Sequence, residues 1–204
     1  MGGRPAAGEE HQRLFIAVPV AEAVRERIAE AVSAAREAGP AGQAGHGRVR
    51  WVSTAGLHLT LKFLGSTDPG RLAAVREIVA DTAVEARPAE LGLRGVGAFP
   101  SAGRPRVLWM GLVHGREELA GMAAGLDARL APLGWPPETR PFRAHLTLAR
   151  CDEPAAARTA LEALERAAGS LDLAWTADRL VLFRSHLGHG PARYEPLLEA
   201  PLGG

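Results

Sequence analysis

Two histidines open the same tetrapeptide, HLTL, once at His58 and once at His145. A threonine follows two residues after each, Thr60 and Thr147. Side chains alternate across an extended strand, so each histidine shares a face with its threonine. Two imidazoles that meet one ligand can serve as general acid and general base. A free histidine titrates near pH ~6.5, so one ring can be charged while its partner is neutral. Each threonine hydroxyl can donate a hydrogen bond to an anionic oxygen. Two such pairs suit phosphodiester chemistry, in which charge builds on nonbridging oxygens and a proton must reach the leaving oxygen. One H-x-T in a strand is more often a half-exposed histidine bonded to a neighbour. A duplication that kept only structural residues would explain the repeated leucines well and the repeated histidines poorly.

The surrounding elements must bring the two pairs together. By strict alternation His58, Thr60 and Lys62 lie on one face, with Leu59, Leu61 and Phe63 on the other. Leu146 and Leu148 likewise back His145 and Thr147. Apolar and β-branched runs predict strands over 14–18, 48–52, 58–64, 90–98, 106–113, 142–149 and 194–198, with strand material over 171–184. Helical spacing predicts helices over 21–38, 69–86, 116–131 and 154–168. Each HLTL copy precedes a proline-initiated helix, at Pro69 and Pro154. The pattern is α+β, with one strand-then-helix unit in each half. This predicts a bilobal, pseudo-two-fold duplicated fold whose lobes face each other across a cleft. Residues 1–12 are expected to be a disordered N-terminal segment and 13–200 a single domain.

The chain of 204 residues has a formal net charge of +1, which argues against a protein that coats long nucleic acid. Cys151 is the only cysteine, so neither an intrachain disulfide nor a cysteine-rich zinc site can form. The polar start from Met1 to Arg13 lacks the apolar core of a signal peptide, and no apolar run approaches the roughly 20 residues that cross a bilayer. A cytoplasmic protein without membrane contact is expected. His11, His46, His114, His186 and His189 fall in tail or loop-like stretches and read as surface residues. The rival is a three-histidine metal site built from His58, His145 and His186 or His189, which no H-x-H or HExxH spacing supports. Arg50, Arg106 and the only lysine, Lys62, read as solvated charges.

The segments RLFIAV from Arg13, RWVSTAGLHLTLKFLG from Arg50, RPRVLWMGL from Arg104, FRAHLTLAR from Phe142 and LFRSHLGHGPARYEPL from Leu182 resemble the bacterial RNA 2',3'-cyclic phosphodiesterases. These are also called 2'-5' RNA ligases and belong to the 2H phosphoesterase superfamily. The resemblance runs from about Arg13 to Leu198. It implies antiparallel sheets lining a central cleft with helices outside, and metal-free hydrolysis of 2',3'-cyclic phosphates to 2'-phosphomonoesters without a cofactor. It further implies that His58 is the proton donor and His145 the proton acceptor, a choice the identical HLTL motifs leave open. Thr60 and Thr147 would hold phosphate oxygens, and Phe15 and Arg150 would sandwich the base. Strict alternation places Arg150 with Leu146 and Leu148, so its arrival in the cleft requires a strand end or a bulge. The family often has proline before the second histidine, where this chain has Ala144. The implied partners are RNA ends bearing a 2',3'-cyclic phosphate and small cyclic nucleotides, bound by a monomer. Reverse 2'-5' ligation belongs to the same chemistry, and a non-catalytic RNA-end binding module is the alternative of a different class.

Overall fold

The structure, a computed structural model, describes residues 11–38, 49–186 and 192–203. Residues 1–10 of the expected N-terminal segment, His46 and His189 lie outside the described residues, and Gln12 already belongs to the first strand. The elements follow in the order β1 (Gln12–Pro19), α1 (Glu22–Glu37), β2 (Val49–Trp51), β3 (His58–Thr67), α2 (Leu72–Glu85), β4 (Ala89–Phe99) and β5 (Val107–His114). They continue with α3 (Arg116–Leu130), β6 (His145–Cys151), α4 (Pro154–Ala168), β7 (Asp172–Ala177), β8 (Arg179–His186) and β9 (Arg193–Pro201). The chain from 142 to 144 is a lead-in, so β6 begins at His145 itself.

The strands form two antiparallel sheets, one ordered β3-β1-β8-β9 and the other β2-β6-β5-β4-β7. The four helices lie on the outer faces. Helices α2 and α3 cover the first sheet, and α1 and α4 cover the second. The two halves are therefore interlocked rather than lying side by side. The first half sends β2, β4 and α1 to the second sheet, while the second half sends α3, β8 and β9 to the first. Leucines and a methionine on alternate positions, such as Leu59 and Leu61 or Leu108, Met110 and Leu112, face the helices and are almost fully buried. Their burial leaves the other sheet faces free to line the cleft.

Strict alternation fails in both motif strands at one matching position. In β3, Thr60 pairs with Ala17 while Lys62 pairs with Ile16, so Leu61 is an extra residue. In β6, Thr147 pairs with Trp109 while Ala149 pairs with Leu108, so Leu148 is an extra residue. A bulge of one residue reverses the parity of the residues that follow, in β3 until a second register shift at Leu64. Lys62 therefore turns inward and Phe63 outward, against the alternating expectation. Lys62 is 3% exposed and Phe63 is 58% exposed. In β6 the same reversal buries Ala149 and brings Arg150 to the exposed face.

Lys62 is thus not a solvated charge. Its Nζ lies 2.6 Å from Asp127 Oδ1 on α3, an ion pair rather than an aligned hydrogen bond, and donates to the Pro136 carbonyl at 2.7 Å. The other Asp127 oxygen accepts from the Glu138 backbone N–H at 3.0 Å. Trp135 Nε1 donates to the Leu64 carbonyl at 3.0 Å. The segment running into the second HLTL motif is in this way fastened to the strand that carries the first.

Candidate active site

His58 and His145 each begin a motif strand, and both are fixed by the same device. His58 Nδ1 lies 2.6 Å from the Gly56 carbonyl and His145 Nδ1 lies 2.7 Å from the Arg143 carbonyl. A carbonyl only accepts, so in both rings Nδ1 carries the proton and donates it. Nε2 is left in each ring to take or give a proton. Both histidines are half-buried, and Thr60 and Thr147 are half-buried two residues on. Among the described residues neither threonine hydroxyl has a hydrogen-bond partner, so both remain available as donors.

The identical motifs sit in different surroundings. The His58 ring lies 4.6 Å from Phe15, 5.8 Å from Phe183 and 5.0 Å from Tyr194, the last edge-on at 89°. These rings come from β1, β8 and β9. Burial among them lowers the His58 pKa below the ordinary imidazole value, with the Gly56 hydrogen bond opposing part of that shift. Among the described residues His145 meets one aromatic ring, Phe99 on β4, at 5.0 Å and 86°.

Tyr194 does more than wall the ring. A Cβ on Gly56 would lie 2.8 Å from Tyr194 Cδ2, so the phenol rests on the bare backbone whose carbonyl orients His58. Burial raises the Tyr194 pKa, and the charge of Arg150 pulls it partly back. Arg150 on β6 and Tyr194 on β9 belong to different sheets. The motif strands β3 and β6 also approach each other, so the two sheets confront each other at the motifs.

The two expected base-binding positions differ in exposure. Arg150 is exposed at the fifth residue beyond His145, turned outward by the bulge. Phe15 is only 3% exposed, stacked on Phe183 at 5.2 Å and 19° and lying beneath His58. The exposed aromatic is Phe63, the fifth residue beyond His58, whose ring is 6.0 Å from Phe15. Phe63 and Arg150 thus occupy equivalent places after the two bulges. The HLTL repeat itself held the signal for Phe63: whatever turns Arg150 to the exposed face must do the same five residues after His58. Phe183 and Tyr194 carry no such local sign.

Other candidates fall away from the cleft chemistry. Cys151 follows Arg150 but is buried, and burial, with Asp152 adding to it, pushes its thiol up to about 11, which leaves it protonated at neutral pH. Arg50 donates to Asp152 from Nη2 at 3.0 Å, and Arg106 donates to the Asp152 carbonyl at 3.3 Å. His186 Nε2 bonds Glu195 Oε2 at 2.7 Å near the end of β8. Among the described residues no three histidine, cysteine or carboxylate side chains gather in a metal-binding group.

Comparison with known proteins adds three findings. Residues 23–189 match the family described as the 2'-5' RNA ligase superfamily. Curated relatives named RNA 2',3'-cyclic phosphodiesterase include one from Methanothermobacter thermautotrophicus, 32% identical over 70% of this chain and 72% of that protein. Another, from Geobacillus stearothermophilus, is 33% identical over 93% of this chain and 58% of that protein. Among solved structures, a Thermus thermophilus protein superposes with a TM-score of 0.73 at 29% identity, covering 94% of this chain and 98% of its own. Escherichia coli LigT in complex with NADP+ superposes with a TM-score of 0.71 at 27% identity, covering 96% of this chain and all of its own.

Proposed function

The chain belongs to the 2'-5' RNA ligase superfamily, and from that membership together with its cleft we infer that it hydrolyses RNA 2',3'-cyclic phosphates to 2'-phosphomonoesters. One observation carries the reading. Two histidines at equivalent positions each donate Nδ1–H to a backbone carbonyl, which leaves two Nε2 atoms free for proton transfer. In this mechanism His145 Nε2 takes a proton from water as the water oxygen attacks phosphorus. The bond from phosphorus to the 3' oxygen breaks, and His58 Nε2–H protonates that oxygen. The new P–O bond retains the 2' ester, and the ribose regains its 3' hydroxyl. Thr60 and Thr147 donate to the nonbridging oxygens as charge builds there.

Burial of His58 bears on its role as acid. In the free protein burial favours the neutral ring, whereas a bound phosphate anion favours the imidazolium. The faces of Phe15 and Phe183 also attract a cation. Substrate binding therefore charges the group that must donate the proton. Hydrolysis and 2'-5' joining share this site, with a 5' hydroxyl replacing water in the second case. The reading extends to small cyclic nucleotides as substrates and to action as a monomer, since both motifs lie in one chain. It also assigns the protein to the cytoplasm, where RNA ends are available. Among the described residues no helix is long and apolar enough to cross a membrane.

The direct test is incubation with adenosine 2',3'-cyclic phosphate in excess EDTA, with products resolved as 2'- or 3'-phosphate. Full turnover to 2'-AMP is expected. Binding without turnover would instead favour an RNA-end binding module. Activity lost on chelation and restored by zinc or manganese would sink the two-histidine, metal-free mechanism.

We place the base of the cyclic nucleotide between Phe63 and Arg150. Stacking on a ring or guanidinium contributes roughly 1–3 kcal/mol per base. Phe63→Ala and Arg150→Ala should each raise KM by roughly 5- to 100-fold with a smaller change in kcat. Phe15→Ala should act chiefly on kcat, because Phe15 backs His58 and presents little surface to a base. Steady-state kinetics of the three variants would separate these roles, and an unchanged KM for Phe63→Ala would remove it from the base site.

A further inference from the structure

On the second sheet, the cleft face beyond the motif carries two aromatic residues that the proposed chemistry leaves unused. Trp109 pairs directly with Thr147 across β5 and β6, so its side chain shares the face of the threonine hydroxyl. Phe99 on β4 lies 5.2 Å from Trp109 and 5.0 Å from His145, ring to ring. Both rings are half-exposed. The strands have been cleared around the indole. A Cβ on Gly97, directly opposite, would lie 2.5 Å from Trp109 Cζ2 and Cη2. A Cβ on Gly111, two residues along β5, would lie 3.3 Å from Cζ3. Glycine inside a strand weakens it and usually marks a close approach. Here two glycines let a large flat ring lie on backbone within one strand of the phosphate-handling residues. Exposed Arg143 and Arg150 bracket β6 beside it and supply positive charge for a polyanionic chain.

We propose that Trp109 and Phe99 form a second nucleobase platform, which takes the base of the nucleotide on the 5' side of the cyclic phosphate and makes the protein prefer oligonucleotide ends to mononucleotides. This rests on the hydrolase reading for the direction of the chain, since the terminal base is assigned to Phe63 and Arg150. Every base has a π face, so a stacking platform requires a second nucleotide without dictating which one. A basic flank suits the phosphate that joins the two nucleotides.

Affinity for products tests the platform without depending on turnover. Calorimetry would compare 2'-AMP, the dinucleotide ApA bearing a 2'-phosphate, and the same dinucleotide without its 5'-side base. Wild-type protein should bind the full dinucleotide roughly 5- to 100-fold more tightly than 2'-AMP, and the abasic form should lose most of that gain. Trp109→Leu keeps apolar bulk and removes the π face. It should bring the dinucleotide to within about threefold of 2'-AMP while 2'-AMP affinity stays near wild type. Equal wild-type affinity for the full and abasic dinucleotides overturns the proposal. So does a preference that survives Trp109→Leu, or an equal loss for all three ligands, which marks a merely structural tryptophan. Failure of the hydrolase reading would show separately, as absence of turnover of the cyclic phosphate.

Discussion

Replacing either His58 or His145 with alanine should lower turnover of a 2',3'-cyclic phosphate by on the order of 10²-fold or more, with the protein still folded. Each variant removes one Nε2, and the Nδ1 hydrogen bonds to Gly56 and Arg143 show that neither ring has a second nitrogen to offer. The pH profile tells the two roles apart. On the proposed roles, low pH protonates the base, His145, and high pH deprotonates the acid, His58, so the expected profile is a bell set by two macroscopic constants of a coupled pair. Burial lowers the His58 pKa in the free protein, which shrinks the fraction of free enzyme that carries the acid protonated and so limits kcat/KM more than kcat. Bound phosphate raises the His58 pKa, so the alkaline limb of kcat should lie at higher pH. The residual activity of His58→Ala should lack the alkaline limb, and that of His145→Ala the acid limb. The opposite assignment of limbs would exchange acid and base. A flat profile between pH ~5 and ~9 in the wild-type protein would remove both histidines from proton transfer.

Asp127→Leu should destabilise the protein by about 3–5 kcal/mol, the usual consequence of removing one partner from a buried ion pair. The Lys62 ammonium is almost inaccessible and would keep only the Pro136 carbonyl. The double variant Lys62→Met, Asp127→Leu should recover most of the loss, because two apolar side chains leave no stranded charge. Urea unfolding of the single and double variants measures this directly. A single variant within about 0.5 kcal/mol of wild type, the range of ordinary surface substitutions, would show that the pair is solvated in practice. Since Pro136 lies on the run into His145, turnover of Asp127→Leu should fall under conditions where most of the protein remains folded.

The paired HLTL motifs, the four helices, most strand positions and the facing of two sheets were all legible from periodicity and repetition. What period-two reading could not show was the extra residue in each motif strand. Alternation is a rule about an unbroken ladder, and a bulge leaves no sign in residue type at Leu61 or Leu148. That one event accounts for the misplacement of Lys62 and Phe63, and it supplies the outward turn that Arg150 required. The enclosure of His58 was hidden for another reason. Phe183 and Tyr194 reach it from strands late in the chain, and their assembly beside β1 depends on a strand order that local pattern does not specify.

The exchange of strands and helices between halves also bears on how the chain folds. β1, near the start, lies between β3 and β8, and β8 is among the last strands to leave the ribosome. Helix α1 finds its packing partner in α4, from the opposite half. A nascent first half therefore has β1 paired on one edge only, and an amphipathic helix α1 that has yet to meet α4. Such long sequence separations slow folding and prolong exposure of unpaired edges. Closure of the core thus waits for β8 and α4. The same event brings Tyr194 against Gly56, so the aromatic enclosure of His58 and the native core are completed together.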